Sequence, residues 1–275
     1  MSNHDPVSAI SEAEATGRTA EIFAEIREVM QLPLVTSIWR TLDAIDGGLD
    51  AAWAATKPIY ESGQPDALLA RLRQAIDLPT PEPLSWIAWE SLNLDKQARA
   101  SITAILKAYN RSNTLNLIAL TALVRRESSL RLEPVERPSL QWPELPPLLS
   151  KAEIDPVDWS LLEKTIPLGV NLPTTVLPTL WRHLIHWPAF IELMLDQYGP
   201  LHQNGALFTM EEAVSDFVET HAPGMSHFRD DSVVIPAAAF QMIEDYVGEP
   251  PSVSRMASLG TSVEKWLKAS YHPNT

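Results

Sequence analysis

The sequence predicts an all-α fold built from two homologous helical repeats. Three observations carry that expectation: an internal duplication, apolar residues at helical spacing, and no alternating strand pattern of useful length. Ile38-Trp39-Arg40-Thr41-Leu42 returns as Leu180-Trp181-Arg182-His183-Leu184. Trp39 pairs with Trp181, Arg40 with Arg182, Pro58 with Pro200 and Gly63 with Gly205, all at one offset of 142 residues without a gap. Upstream, Leu32-Pro33 and Leu172-Pro173 align after a two-residue slip. The period is far longer than that of a solenoid, so it points to a duplicated domain packed as a pseudo-dimer.

The first repeat is assigned to residues 1–129. Within it Ile22, Phe23, Ile26, Val29 and Met30 follow the three-four spacing of an amphipathic helix, with Glu25, Arg27 and Glu28 on the wet side. Asp43 and Asp46 beside Gly47-Gly48 mark a helix end and turn. Pro79, Pro81 and Pro83 break the helical pattern, after which Asp95 can cap a helix through Asn110. Residues 130–152 form the linker, because Pro134, Pro138, Pro143, Pro146 and Pro147 exclude a helix, and Trp142 is expected to pin it to one half. The second repeat is assigned to residues 153–275. Thr209 to Glu212 reads as a capping box opening a helix with Val214, Phe217 and Val218 on its apolar face. Ser232 to Ile235 is a short strand candidate beside Pro236, which is better read as a helix start.

A chain of 275 residues with 45% hydrophobic residues can bury a substantial core. Its longest apolar run, Leu117 to Val124, is too short to cross a bilayer, so no membrane association is expected. The opening Met-Ser-Asn-His-Asp-Pro lacks a basic start and an apolar block, which makes the cytoplasm the expected compartment. The chain has no cysteine, and disulfides, thiolate nucleophiles and cysteine-ligated zinc are excluded together. A net charge of -14 repels phosphate backbones, so nucleic acid is not an expected partner. An acid-rich surface suits a monomer or a homodimer. There is no phosphate loop, no dinucleotide-binding glycine pattern and no serine elbow.

The segment from Tyr109 to Leu123, with Asn110 and Asn113 three apart, resembles the Asn-x-x-Asn helix of the group I DL-2-haloacid dehalogenases. Gly17 leading into Ile26-Arg27, then Pro33, Val35, Arg40, Leu42, Ala52-Trp53 and Trp187-Pro188, follow that family's order and spacing. The resemblance implies two all-α repeats around a buried cavity, joined by a proline-containing linker. It also implies a cofactor-independent hydrolase in which an aspartate of the second repeat activates water to displace halide from C2 of a small 2-halocarboxylic acid. Asn113 matches the asparagine that orients water or substrate. Anchoring the second copy on Trp187-Pro188 places Leu180 where the family has its aspartate, with Thr179 for serine and Pro178 for a small residue. Leu34 and Ser37 stand where the family has large aromatics.

Leucine cannot accept a proton, so the chemistry needs another base or is absent. His183, one turn beyond Thr179 and Leu180, is the candidate replacement base; its other reading is a histidine at a surface or repeat interface. Glu192 and Asp196 are weighed against ordinary solvated acids of a helix face. Arg40 and Arg182 suit a substrate carboxylate because the guanidinium fork matches two oxygens, the alternative being an ion pair between the repeats. His183, His186 and His202 lack the supporting acids of a zinc site, so no metal is expected. Met194, Met210 and Met242 read as core fillers. Two functions follow: a 2-haloacid dehalogenase-like hydrolase, or a non-dehalogenating relative that binds a small carboxylic acid or serves a non-catalytic role.

Overall fold

Apolar residues at helical spacing leave each helix with one face to bury, and the chain solves this by wrapping helices around a single long one. The computed structural model describes residues 9–125, 128–172, 174–248 and 252–270. Among these, the first half supplies α1 (Gly17–Met30), α2 (Ser37–Leu42), α3 (Gly48–Glu61), α4 (Gln64–Ala75), α5 (Trp86–Ser91) and α6 (Lys96–Val124). The second half supplies α7 (Pro156–Glu163), α8 (Thr179–His183), α9 (Pro188–Gln203), α10 (Ala206–His221), α11 (Ala237–Val247) and α12 (Val253–Ser270). Pro173 of the Leu172-Pro173 pair and the N-terminal Met1 to Pro6 lie outside the described residues.

Helix α6 is the axis of the molecule. Asp95 caps it as expected, its carboxylate accepting from the Ala98 N–H at 2.7 Å. The helix does not stop at Asn110 but runs on to Val124, because the apolar stretch Leu117 to Leu123 is buried on every side. It packs against α3, α4, α10, α11 and α12, so helices from both halves close on it and share one core. No helix among the described residues is long and apolar enough to cross a membrane.

Positions matched by the offset adopt matched conformations. Gly63 and Gly205 both take the left-handed backbone conformation, at φ 73° and 83°, immediately before α4 and α10. Pro58 and Pro200 both sit inside helices, α3 and α9. The Thr209 capping box is corrected by this geometry. Gly205 opens α10 a turn earlier, and the Thr209 hydroxyl lies inside the helix facing the Gly205 carbonyl at 3.4 Å. Residues 232–235 form no strand, and Pro236 immediately precedes α11 as expected.

Between α6 and α7 the proline-rich stretch 130–149 is extended and lies along both halves. Val135 donates to the Ser62 carbonyl at 2.7 Å and the Trp142 indole to that of Gln31 at 3.0 Å, both in the first half. On the other side His183 and His186 each turn Nε2 to a carbonyl, of Pro146 at 2.7 Å and of Pro147 at 2.9 Å.

Candidate functional site

Where α2, α6, α8 and α12 converge they leave a cavity of about 300 Å³. Its construction starts from Asn116 on α6, which is wholly buried. The Asn116 Oδ1 accepts from the Trp39 indole at 3.1 Å and the Tyr60 hydroxyl at 2.9 Å, while its Nδ2 donates to the Thr36 hydroxyl at 2.8 Å. Thr36 also meets Ser112 at 3.0 Å. These bonds lock the start of α2 and the side of α3 onto α6, and they aim Thr36, Ser37 and Thr41 into the cavity.

One turn apart on α6, Tyr109 and Asn113 form the floor, since residues four apart share a helix face. The opposite wall is Thr174 with residues 176–180, and Tyr246, Ser252, Val253, Arg255 and Met256 complete it. The expected Ser37, Asn113, Pro178, Thr179 and Leu180 are thus brought together. Leu180 is held there by Gly260 on α12: a Cβ at Gly260 would collide with Asn110 Oδ1 and crowd a Leu180 methyl at 3.2 Å. Asn113 is buried, yet its amide has no hydrogen-bond partner among the described residues. A buried amide left in that state costs on the order of 1–3 kcal/mol unless a ligand or water answers it.

The remaining expected residues stand behind the wall. Leu34 is buried in the core, and Arg40 and Arg182 are buried and engaged outside the lining. His183 lies behind Tyr109, with Nδ1 3.3 Å from the phenol oxygen. A carbonyl only accepts, so the bond to Pro146 places the proton on Nε2 and leaves Nδ1 to accept from Tyr109. Burial pushes the His183 pKa down to about 4, against the opposing pull of its bond to Pro146. Both ring nitrogens are occupied and the ring is a poor base. Burial likewise raises the Tyr109 pKa, with Arg40 and Arg182 pulling the other way. Glu192 and Asp196 are exposed on α9. Among the described residues the lining carries no carboxylate and no imidazole, and no group of three or more His, Asp or Glu is placed to hold a metal.

Tyr109, Thr36, Tyr246 and Arg255 are additions that the sequence reading did not single out for the site. Arg255 had a legible signal: it is in phase with Leu259, Val263 and Trp266 on the buried face of α12. Its Nε donates to the Leu168 carbonyl at 2.9 Å and its Nη2 to those of Ile166 at 2.8 Å and Thr165 at 3.2 Å.

The arrangement is an all-α fold around one cavity, and comparisons agree with that fold. The chain shares its fold with a D-2-haloacid dehalogenase solved in complex with L-LA, at a TM-score of 0.72 and 14% identity, covering 96% of both chains. A D-2-haloacid dehalogenase mutant in complex with D-2-CPA superposes with a TM-score of 0.61 at 14% identity, over 96% of this chain and 91% of the other. In sequence, an (R)-2-haloacid dehalogenase of Pseudomonas putida is 32% identical over 88 residues, which is 30% of this chain and 29% of that enzyme. The matched stretch therefore spans less than a third of that relative's length. No family model matches the chain. The sequence match and the shared fold together bear out the resemblance to the group I 2-haloacid dehalogenases.

Proposed function

We propose that the cavity binds a small 2-substituted carboxylic acid and that the protein does not hydrolyse it by the aspartate-activated route. The unanswered Asn113 amide carries this reading. A buried donor and acceptor facing a largely apolar cavity are a binding group awaiting an occupant, whereas hydrolysis additionally needs a proton acceptor beside the attacking water. Leu180, aligned by sequence with the family's aspartate, lines the cavity and cannot accept a proton, and His183 is turned away with both nitrogens engaged. The hydroxyls of Ser37 and Thr179, which line the cavity, suit a ligand oxygen. The small acids of the structural relatives set the ligand class. The same reading takes the two halves as copies of one helical unit, supported by the matched glycines and prolines of the paired helices.

The test pairs binding with turnover. Calorimetry should show L-lactate or a 2-chloropropionate enantiomer binding to the wild type, with Asn113→Ala weakening it by roughly 10- to 100-fold, the worth of one hydrogen bond to a charged group. Halide release from both 2-chloropropionate enantiomers should be undetectable in the wild type and appear in Leu180→Asp. Wild-type release that vanishes in Asn113→Ala would instead establish hydrolysis with a different base, the reading that the Pseudomonas putida match favours.

A further inference from the structure

An acid can be held in a buried cavity only if something meets its charge, because an unpaired ion in a low-dielectric site is costly. The expected cations, Arg40 and Arg182, are behind the wall. Building on the acid-binding reading, we infer that Arg255 is the carboxylate anchor of this cavity, presenting the Nη1 amino group to one oxygen of the ligand.

The charge, burial and contacts of Arg255 carry this. Among the described residues lining the cavity, Arg255 alone bears a full charge. It is 4% exposed, so its charge is withdrawn from water and its orientation is set by protein contacts. Those contacts use Nε and Nη2, bound to the carbonyls of Leu168, Thr165 and Ile166, and leave the two N–H donors of Nη1 without a protein acceptor among the described residues. Glu211, the nearby acid, receives the Ser254 hydroxyl at 2.9 Å and acts on Arg255 through its charge, without a direct side-chain contact to the guanidinium among the described residues. Burial lowers the Arg255 pKa only to about 10, so the group is cationic at neutral pH.

Arg111 on α6 shows what such a group does when its role is structural. It bonds the Met30 carbonyl at 3.0 Å through Nε, and its Nη1 meets Asp66 at 2.6 Å. Arg255 repeats the first contact in the loop that follows α7 and lacks a direct carboxylate contact like the second. The position that a carboxylate fills for Arg111 is left to a ligand. With the Nε edge occupied by the 165–168 carbonyls, the anchor grips one oxygen, and the second oxygen falls to the cavity hydroxyls or the Asn113 amide.

The wild type alone supplies the first test. Calorimetry with L-lactate and lactamide, and with 2-chloropropionate and its amide, should show each acid binding at least 30-fold tighter than its uncharged isostere. Arg255→Gln should weaken acid binding by about 100-fold while leaving the amide within threefold, and Arg255→Lys should recover part of the loss. Equal binding of acid and amide by the wild type overturns the anchor even if Arg255→Gln fails to fold. A folded Arg255→Gln that binds the acid as the wild type does, with the loss appearing in Arg40→Gln or Arg182→Gln, overturns the anchor and leaves the acid-binding reading standing. No binding of either acid by the wild type overturns both.

Discussion

Trp39 and Trp181 stand at matched places in the two halves, both wholly buried, yet they are treated in opposite ways. The Trp39 indole donates to Asn116, and its ring meets the edges of Trp53 at 5.4 Å and Tyr60 at 6.4 Å. The Trp181 Nε1 is buried with no hydrogen-bond partner among the described residues. The long helices α6 and α12 differ in step with this. Five residues beyond the two arginines that each bind a carbonyl through Nε, Arg111 leads to Asn116 on α6 and Arg255 to Gly260 on α12. Asparagine makes the first junction a polar hub. Glycine makes the second a close contact, drawing Leu180 and Asn110 against the α12 backbone. One half spends its buried polarity on rigidity, and the other gives up a hydrogen bond to set the cavity wall.

Asn116→Ala should break this contrast with the largest effect. It strands the Trp39 indole, the Tyr60 hydroxyl and a bond to Thr36, for a combined loss of about 4 kcal/mol in urea unfolding. A loss below 1 kcal/mol would mean that the hub is not what fixes α2.

Next in size is the acid response of His183, on the second half's side. Its folded-state pKa of about 4 lies below the ordinary 6.5, so the unfolded chain takes up the proton first. The contribution to stability is complete above pH 6.5 and is lost as pH falls toward 4, by about 3 kcal/mol at most. Urea midpoints of the wild type should fall across that window, and His183→Gln should flatten the slope there.

The smallest effect sharpens the comparison most directly. Trp39→Phe removes a satisfied donor, whereas Trp181→Phe removes an unsatisfied one. The first should cost about 1–2 kcal/mol more than the second, although the volumes deleted are the same. Equal losses would show that the Trp181 N–H finds water.

Much of this architecture was legible as spacing. The Asp95 cap, the α1 face, the turn at Gly47 and the helix-free proline-rich stretch are all local signals, and local signals survive folding. The start of α10 was misread because a capping-box pattern at Thr209 competes with a glycine whose backbone conformation no pattern prints. At the site, Asn113, Thr179 and Leu180 were reachable through the family's motif. Arg255 needed the phase of α12 and the knowledge that the 165–168 carbonyls would take half of its donors. Arg40 was misplaced because a sequence shows that an arginine is buried-compatible and not which side of a wall it occupies.

The proline-rich connector has a consequence for how the molecule could be taken apart. Proline offers a carbonyl and no N–H, so Pro146 and Pro147 bring acceptors that the histidines of the second half can use without competing donors. Trp142 holds the stretch to the first half a few residues earlier. The strap is thus tied down on both sides of Pro143–Pro146, its early part touching both halves through Leu132, Val135 and Trp142, and α6 and α12 pack along each other without needing it. Cleavage of the backbone between Pro143 and Pro146 would leave both new ends tied down, and the two fragments should stay together as a single folded particle.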